Sequence, residues 1–208
     1  MDSNYKKHMD FVEKTLIETE HDKGRKHPFR SRVSHIKRVY RWAERLCEGR
    51  DDYNPDVLFL SVIFHDVGYA CGHDNHQMNS EKIFREYAIK NNFDAQLTEK
   101  IALCIGTHSD KNLLLHPEKL LIEQILLMEA DLLDEEGALA ICWHGMAAGY
   151  EGDGSYEDCL ERIKLKLQKR VGSNPMITER GRLIWDEKVA YQVDFVKKLE
   201  YDLEMEQI

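Results

Sequence analysis

The sequence is poor both in residues that interrupt helices and in residues that cross-link chains. Its 208 residues include only four prolines, and the apolar/polar alternation of half-buried strands is scarce, so helix is the expected local structure throughout. The five cysteines (Cys47, Cys71, Cys104, Cys142 and Cys159) are odd in number and widely spread, with no CxxC pair. That excludes a disulfide framework and a zinc ribbon, and it points to a reducing compartment. No apolar stretch follows the first basic residues near Lys6, so no signal peptide is expected. Nor does any run approach the length of a membrane span, and the expected location is cytoplasmic, with no membrane partner. Positive charge is in deficit too: the formal net charge is −9, which repels a phosphate backbone and speaks against long nucleic acid as the main partner.

What is present describes one globular domain. Hydrophobic residues make up 42% and charged residues 32% of the chain, and this length can bury a core without disulfides. Tyr5 to Thr19 carries Met9, Val12, Leu16 and Ile17 at helical spacing. The segment from His21 to Pro28 is polar, is broken by Gly24 and reads as a loop. A second helix is expected from about Ser31 through His35, Val39, Trp42 and Leu46, ending at Gly49. Asn54-Pro55 opens a third, with proline in its first turn. Its body, Val57 to Phe64, is apolar on all sides and so belongs at the centre of the fold. Tyr69 to Asn79 reads as a polar loop, with Ser80 capping the next helix. Further helices are expected over Leu97 to His108, from Pro117 to Leu132, and over Gly137 to Gly149. Two amphipathic ones follow a turn at Glu151-Gly152-Asp153-Gly154, over Tyr156 to Val171 and from Thr178 onward. The expectation is a single domain over 1–208, with a core of about 27–150 and a helical extension from about 151.

The feature that carries chemistry is His65-Asp66 at the end of the all-apolar helix. Burying an imidazole and a carboxylate beside such a core is costly unless both are compensated. A divalent cation compensates both at once, and the opening backbone at a helix end can aim both side chains at one ion. His35 shares a helix face with Val39 and Trp42, and Asp131 interrupts an apolar stretch from Leu126 to Leu133. These are the natural further ligands. Two imidazoles and two carboxylates suit Mn²⁺, Fe²⁺, Co²⁺, Ni²⁺ or Zn²⁺ with positions left open, and the absence of cysteine motifs speaks against a closed structural zinc site.

The order His35, His65-Asp66, Asp131 resembles the HD-domain superfamily of metal-dependent phosphohydrolases, in particular small bacterial stand-alone members. The flanks carry the resemblance: Ser34-His35-Ile36-Lys37-Arg38-Val39, Leu60-Ser61-Val62-Ile63-Phe64-His65-Asp66-Val67-Gly68, Ile105-Gly106-Thr107-His108-Ser109 and Glu129-Ala130-Asp131-Leu132-Leu133-Asp134. The resemblance implies an all-α helical bundle holding a divalent ion (Mn²⁺, Co²⁺, Ni²⁺, Fe²⁺, Zn²⁺ or Mg²⁺) on those four residues. Some HD proteins use extra histidines between the second and fourth motif elements for a second metal, and His76 and His108 stand where those would be.

The expected reaction is metal-assisted hydrolysis of small phosphorylated metabolites, nucleotides foremost, with His76 or His108 protonating the leaving oxygen. Asp134, one turn beyond Asp131, is placed to orient a water or a ligand histidine, whereas Glu129 is expected to face away. Arg30, Arg32 and His73 are candidates for contacting substrate phosphate. A di-iron oxygenase on the same fold and a non-catalytic metabolite-binding module are the alternatives, with an alarmone hydrolase as a narrower variant of the first reading. The amphipathic tail from Ile184 to Leu203 offers a face either to its own core or to a second copy of the chain.

Overall fold

The computed structural model describes residues 3–20, 29, 31–151 and 154–205. The expected loop over 21–28, Arg30 and the middle of the expected turn at 152–153 lie outside the described residues. Among the described residues there are no strands, and nine α-helices follow in order. They are α1 (Lys6–Glu20), α2 (Arg32–Leu46), α3 (Pro55–Phe64), α4 (His76–Lys90), α5 (Ala95–Thr107), α6 (Ile122–Asp134), α7 (Ala138–Tyr150), α8 (Tyr156–Leu167) and α9 (Glu179–Met205). Among the described residues no helix is long and apolar enough to cross a membrane. The chain divides into two compact units, Met1–Asp131 and Leu132–Ile208.

The first unit is built around α3. Asn54 caps it, its side chain accepting from the amides of Asp56 and Val57, and Pro55 occupies the first turn where its missing N–H costs nothing. Every residue from Val57 to Phe64 is buried, as a helix apolar on all sides requires. Helices α1, α2 and α5 pack against it. Ser31 caps α2, which turns Val33, Ile36, Val39, Tyr40, Ala43 and Leu46 inward together with His35.

Two expected boundaries differ. Ser80 caps nothing: α4 begins a full turn earlier, at His76, after Asn75 in the left-handed region (φ 54°). The stretch before it is a 3₁₀ turn over Val67–Cys71 rather than an open loop. Ser80 instead points inward, fully buried, and accepts the Gly68 amide at 2.8 Å. Pro117 opens only a 3₁₀ turn, Pro117–Lys119, and the long helix begins at Ile122. Extended backbone at Leu120 separates the two.

In the second unit, α7, α8 and α9 pack together. Ser155 and Asp158 form a reciprocal capping box that starts α8. Leu160, Ile163, Leu167 and Val196 make the core, with Val189, Val193 and Leu199 packed against it. The indole of Trp185, also buried, donates to the Ser173 carbonyl at 3.1 Å.

Candidate metal centre

The end of α3 does what the His-Asp pair requires. His65 closes the helix with near-helical backbone, while Asp66 leaves it (φ −109°, ψ 5°). The departure brings both side chains to one place, His65 Nε2 standing 3.7 Å from Asp66 Oδ2. Glycine two residues on is a spatial necessity, since a Cβ on Gly68 would sit 2.0 Å from the His76 carbonyl oxygen and 2.4 Å from the Ser80 nitrogen. This close approach presses the start of α4, and with it His76, against the His-Asp turn.

Helices α2, α4 and α6, and the residue that closes α5, supply the remaining groups. His35 Nε2, from α2, lies 3.3 Å from His65 Nε2, 3.5 Å from Asp66 Oδ2 and 3.2 Å from Asp131 Oδ1 of α6. Asp131 Oδ1 is also 4.0 Å from His65 Nε2. The other oxygen of Asp66, Oδ1, faces His76 Nε2 and His108 Nε2, each at 3.5 Å. Asp66 therefore stands between two groups whose ligand atoms lie within ion-binding distance, His35-His65-Asp66 and Asp66-His76-His108.

The ring orientations fit a cation. His65 and His108 each direct Nδ1 to a backbone carbonyl, of Val62 at 2.8 Å and of Ile105 at 2.7 Å. With the proton on Nδ1, the Nε2 lone pair is left for a metal. The Nε2 atoms of His35 and His65 lie only 3.3 Å apart, where two lone pairs repel unless a proton or a cation lies between them. Burial holds the His65 imidazole at about 4 against an ordinary 6.5, despite the neighbouring Asp66. The His76 imidazole is likewise lowered to about 4 by burial. Burial alone would push the carboxyl of Asp66 up, but the surrounding imidazoles and Arg32 outweigh it and hold the group well below the usual carboxylate range. Lys111 and His35 do the same for Asp131.

The structure distributes the remaining candidates unevenly. Arg32 is at the centre: Nη1 is 3.0 Å from Asp66 Oδ2, and its guanidinium lies 3.6 Å above the Tyr69 ring. His76 stacks on the same Tyr69, with ring centroids 4.3 Å apart. His73 stands outside the cluster, its side chain 85% exposed and 3.8 Å from the equally open Asp74. Asp134 is buried on the last turn of α6, within the second unit, and belongs to neither ion-binding group. Glu129, expected to face away from Asp131, is itself fully buried, because α6 is enclosed around its whole circumference from Ile125 to Ala130.

Sequence reasoning missed three residues here. Lys111 donates to Asp131 Oδ2 and to the His108 carbonyl, both at 2.7 Å. Ser109 Oγ meets His76 Nε2 at 3.1 Å and His108 Nε2 at 3.2 Å. Tyr69 contacts both Arg32 and His76. Tyr69 carried a signal, as an aromatic side chain directly after the His-Asp turn, and Ser109 closes the flank Ile105 to Ser109 that carries the resemblance; Lys111 sits in a polar stretch that resembles any exposed loop.

Comparison with known proteins bears on the fold and the family. No curated protein matches the sequence. Among solved structures, an HD-superfamily hydrolase from Bacillus thuringiensis is 18% identical, with a TM-score of 0.67 over 95% of this chain and 98% of that one. A predicted HD-superfamily hydrolase from an uncultured Thermotogales bacterium is 16% identical, with a TM-score of 0.64 over 95% and 91%. Bacillus subtilis YpgQ in complex with ADP is 20% identical, with a TM-score of 0.64 over 94% and 93%. At such identities the likeness is one of fold. The family model for the HD domain matches residues 32–136, just over half of the 208, and spans all four expected ligands. The chain belongs to the HD-domain family.

Proposed function

We propose that the protein is a metal-dependent phosphohydrolase acting on small phosphorylated substrates, with nucleotides as the leading class. The observation that carries this reading is the convergence on His35 Nε2 of His65 Nε2, Asp66 Oδ2 and Asp131 Oδ1, all within 3.5 Å. Two imidazoles and two carboxylates arriving from three helices form a donor set for a divalent transition ion. Such an ion, when bound, lowers the pKa of water and polarises a phosphoryl oxygen.

The chain's own residues supply the rest. Arg32, held between Tyr69 and Asp66, presents a planar set of donors suited to phosphate oxygens. Arg30 and the exposed His73 are read as further contacts for substrate, and Asp134 as a group that orients a ligand or a water. In the single-ion form, His76 or His108, once protonated, is the donor to the leaving oxygen. The ADP bound to the similarly folded YpgQ supports nucleotides as the substrate class. Residues 1–208 are read as one HD domain, with a core of about 27–150 and a helical extension beyond it.

A second reading rests on Asp66 Oδ1 lying 3.5 Å from both His76 and His108. There Asp66 would serve two ions, with His76 and His108 as further ligands, and such a pair would supply the chemistry of centres that clamp a phosphoryl group or, with iron, activate dioxygen. Elemental analysis of the purified protein, together with phosphate release from a nucleotide panel with Mn²⁺ or Co²⁺, decides among these. About one ion per chain with phosphate release supports the first reading. Two ions with phosphate release supports the bridged form, and two irons with oxygen consumption and no phosphate release supports an oxygenase.

A further inference from the structure

Two carboxylates in the candidate centre each meet a cation, but in different ways. Arg32 contacts Asp66 through Oδ2, the same oxygen that faces His35 and His65. Lys111 contacts Asp131 through Oδ2, whereas Oδ1 is the oxygen turned to the two histidines. An ion held by Oδ1 of Asp131 therefore leaves the Lys111 contact intact. The ammonium stays in place because it also donates to the His108 carbonyl at 2.7 Å, at the end of α5. Its side chain is only 27% exposed, so water screens it incompletely.

This geometry has an electrostatic consequence. Asp66 and Asp131 bring two negative charges, and Arg32 and Lys111 bring two positive ones. The four side chains sum to zero, so a divalent ion keeps its full charge towards solvent. Without Lys111 the centre holds one more negative charge, which attracts the metal more strongly and a phosphoryl dianion less strongly. We propose that Lys111 sets the charge of the metal centre, lowering its affinity for the cation so that the loaded centre stays positive enough to take a phosphoryl dianion. The inference rests on the phosphohydrolase reading for the nature of the anion, but not for the effect on the metal.

The test uses Lys111→Gln, which removes the charge and keeps a side-chain donor, with Lys111→Arg as the charge-preserving control. Lys111→Met is a second neutral variant should the glutamine disturb folding, which thermal melts followed by circular dichroism would reveal. Two affinities are measured with the full chain. Mn²⁺ alone is titrated into metal-free protein and the free ion followed by electron paramagnetic resonance. Inorganic phosphate is then titrated into the Mn²⁺-loaded protein and followed by phosphorus NMR line broadening. A neutral residue at 111 is expected to tighten Mn²⁺ about tenfold and weaken phosphate about tenfold, the scale of one incompletely screened charge. Arginine should restore both. Unchanged or weaker Mn²⁺ binding in the neutral variants overturns the proposal and makes Lys111 only a prop for Asp131. Tighter Mn²⁺ binding with no phosphate binding even in the wild-type protein preserves its action on the metal but removes the phosphohydrolase reading.

Discussion

Gly68→Ala is the substitution whose cost follows most directly from the structure. The added methyl would lie 2.0 Å from the His76 carbonyl oxygen, 2.4 Å from the Ser80 nitrogen and 2.8 Å from Ser80 Oγ. The two nearest atoms are backbone of α4, so no side-chain rotation relieves the overlap. The first turn of α4 must move away from the His-Asp turn, or the turn must deform. Overpacking of this kind costs about 1–3 kcal/mol. The Gly68 amide also loses its 2.8 Å bond to buried Ser80 Oγ, worth about 1 kcal/mol. Together the loss is about 2–4 kcal/mol, or about 5–15 °C in Tm at this chain length. Displacing α4 also carries His76 away from Asp66 Oδ1, its neighbour at 3.5 Å. Circular dichroism melts of wild type, Gly68→Ala and Ser80→Ala would measure the ordering. Ser80→Ala should lose only about 1 kcal/mol, since it removes the bond without adding volume. A Gly68→Ala protein within about 0.5 kcal/mol of wild type, the usual range for an inconsequential surface change, would refute the close-approach argument.

Other expectations follow from the same coordinates. Asp66→Ala removes the carboxylate shared by both ion-binding groups, so it should lose metal retention and turnover together while far-UV circular dichroism stays unchanged; full activity in that variant would sink the proposed mechanism. If Asp66 bridges two ions, His108→Ala should cut bound Mn²⁺ from two per chain to one, as read by elemental analysis, and an undiminished ratio would return His108 to a role outside ligation. His8 is buried, hydrogen-bonds Tyr87 at 2.8 Å through Nδ1, and has its pKa lowered from 6.5 to about 4 by burial and then by Lys7. The unfolded chain therefore binds the proton more readily, so this stabilisation is full above 6.5 and is lost as pH falls towards 4. Urea midpoints of wild type and His8→Gln should converge across that interval; a constant gap would contradict it, and the metal-site histidines, common to both proteins, cancel in the comparison.

Much of the candidate centre is legible in the sequence because the residues expected to hold the ion break a strong local pattern. His65 and Asp66 end a helix with no polar face, His35 joins a face with Val39 and Trp42, and Asp131 interrupts the mainly apolar stretch from Leu126 to Leu133. Each burial demands compensation, and the demand can be read without knowing the neighbours. Helical periodicity is equally local, which is why α2, α3 and α5 begin within two residues of where the sequence places them. Start signals failed at Ser80 and Pro117. A serine serves equally well as a cap or as a buried acceptor for a distant amide, and a proline opens a 3₁₀ turn as readily as a long helix.

What the tertiary structure decided is which charges meet. Lys111 and Arg32 are two among the 29 basic residues of the chain; Arg32 is marked only by standing just before His35, and nothing in the neighbours of Lys111 along the sequence separates it from cations on an open surface. Only the packing of α2, α3 and α6, and the turn after α5, brings Arg32 to Asp66 across 34 residues and Lys111 to Asp131 across 20. The same packing leaves His73 in solvent while turning His76 and His108 onto one oxygen of Asp66. Composition and periodicity determine which groups must be compensated, because burial of a polar side chain has a cost wherever it occurs. The compensating partner is a matter of distance in space, which chain order does not encode.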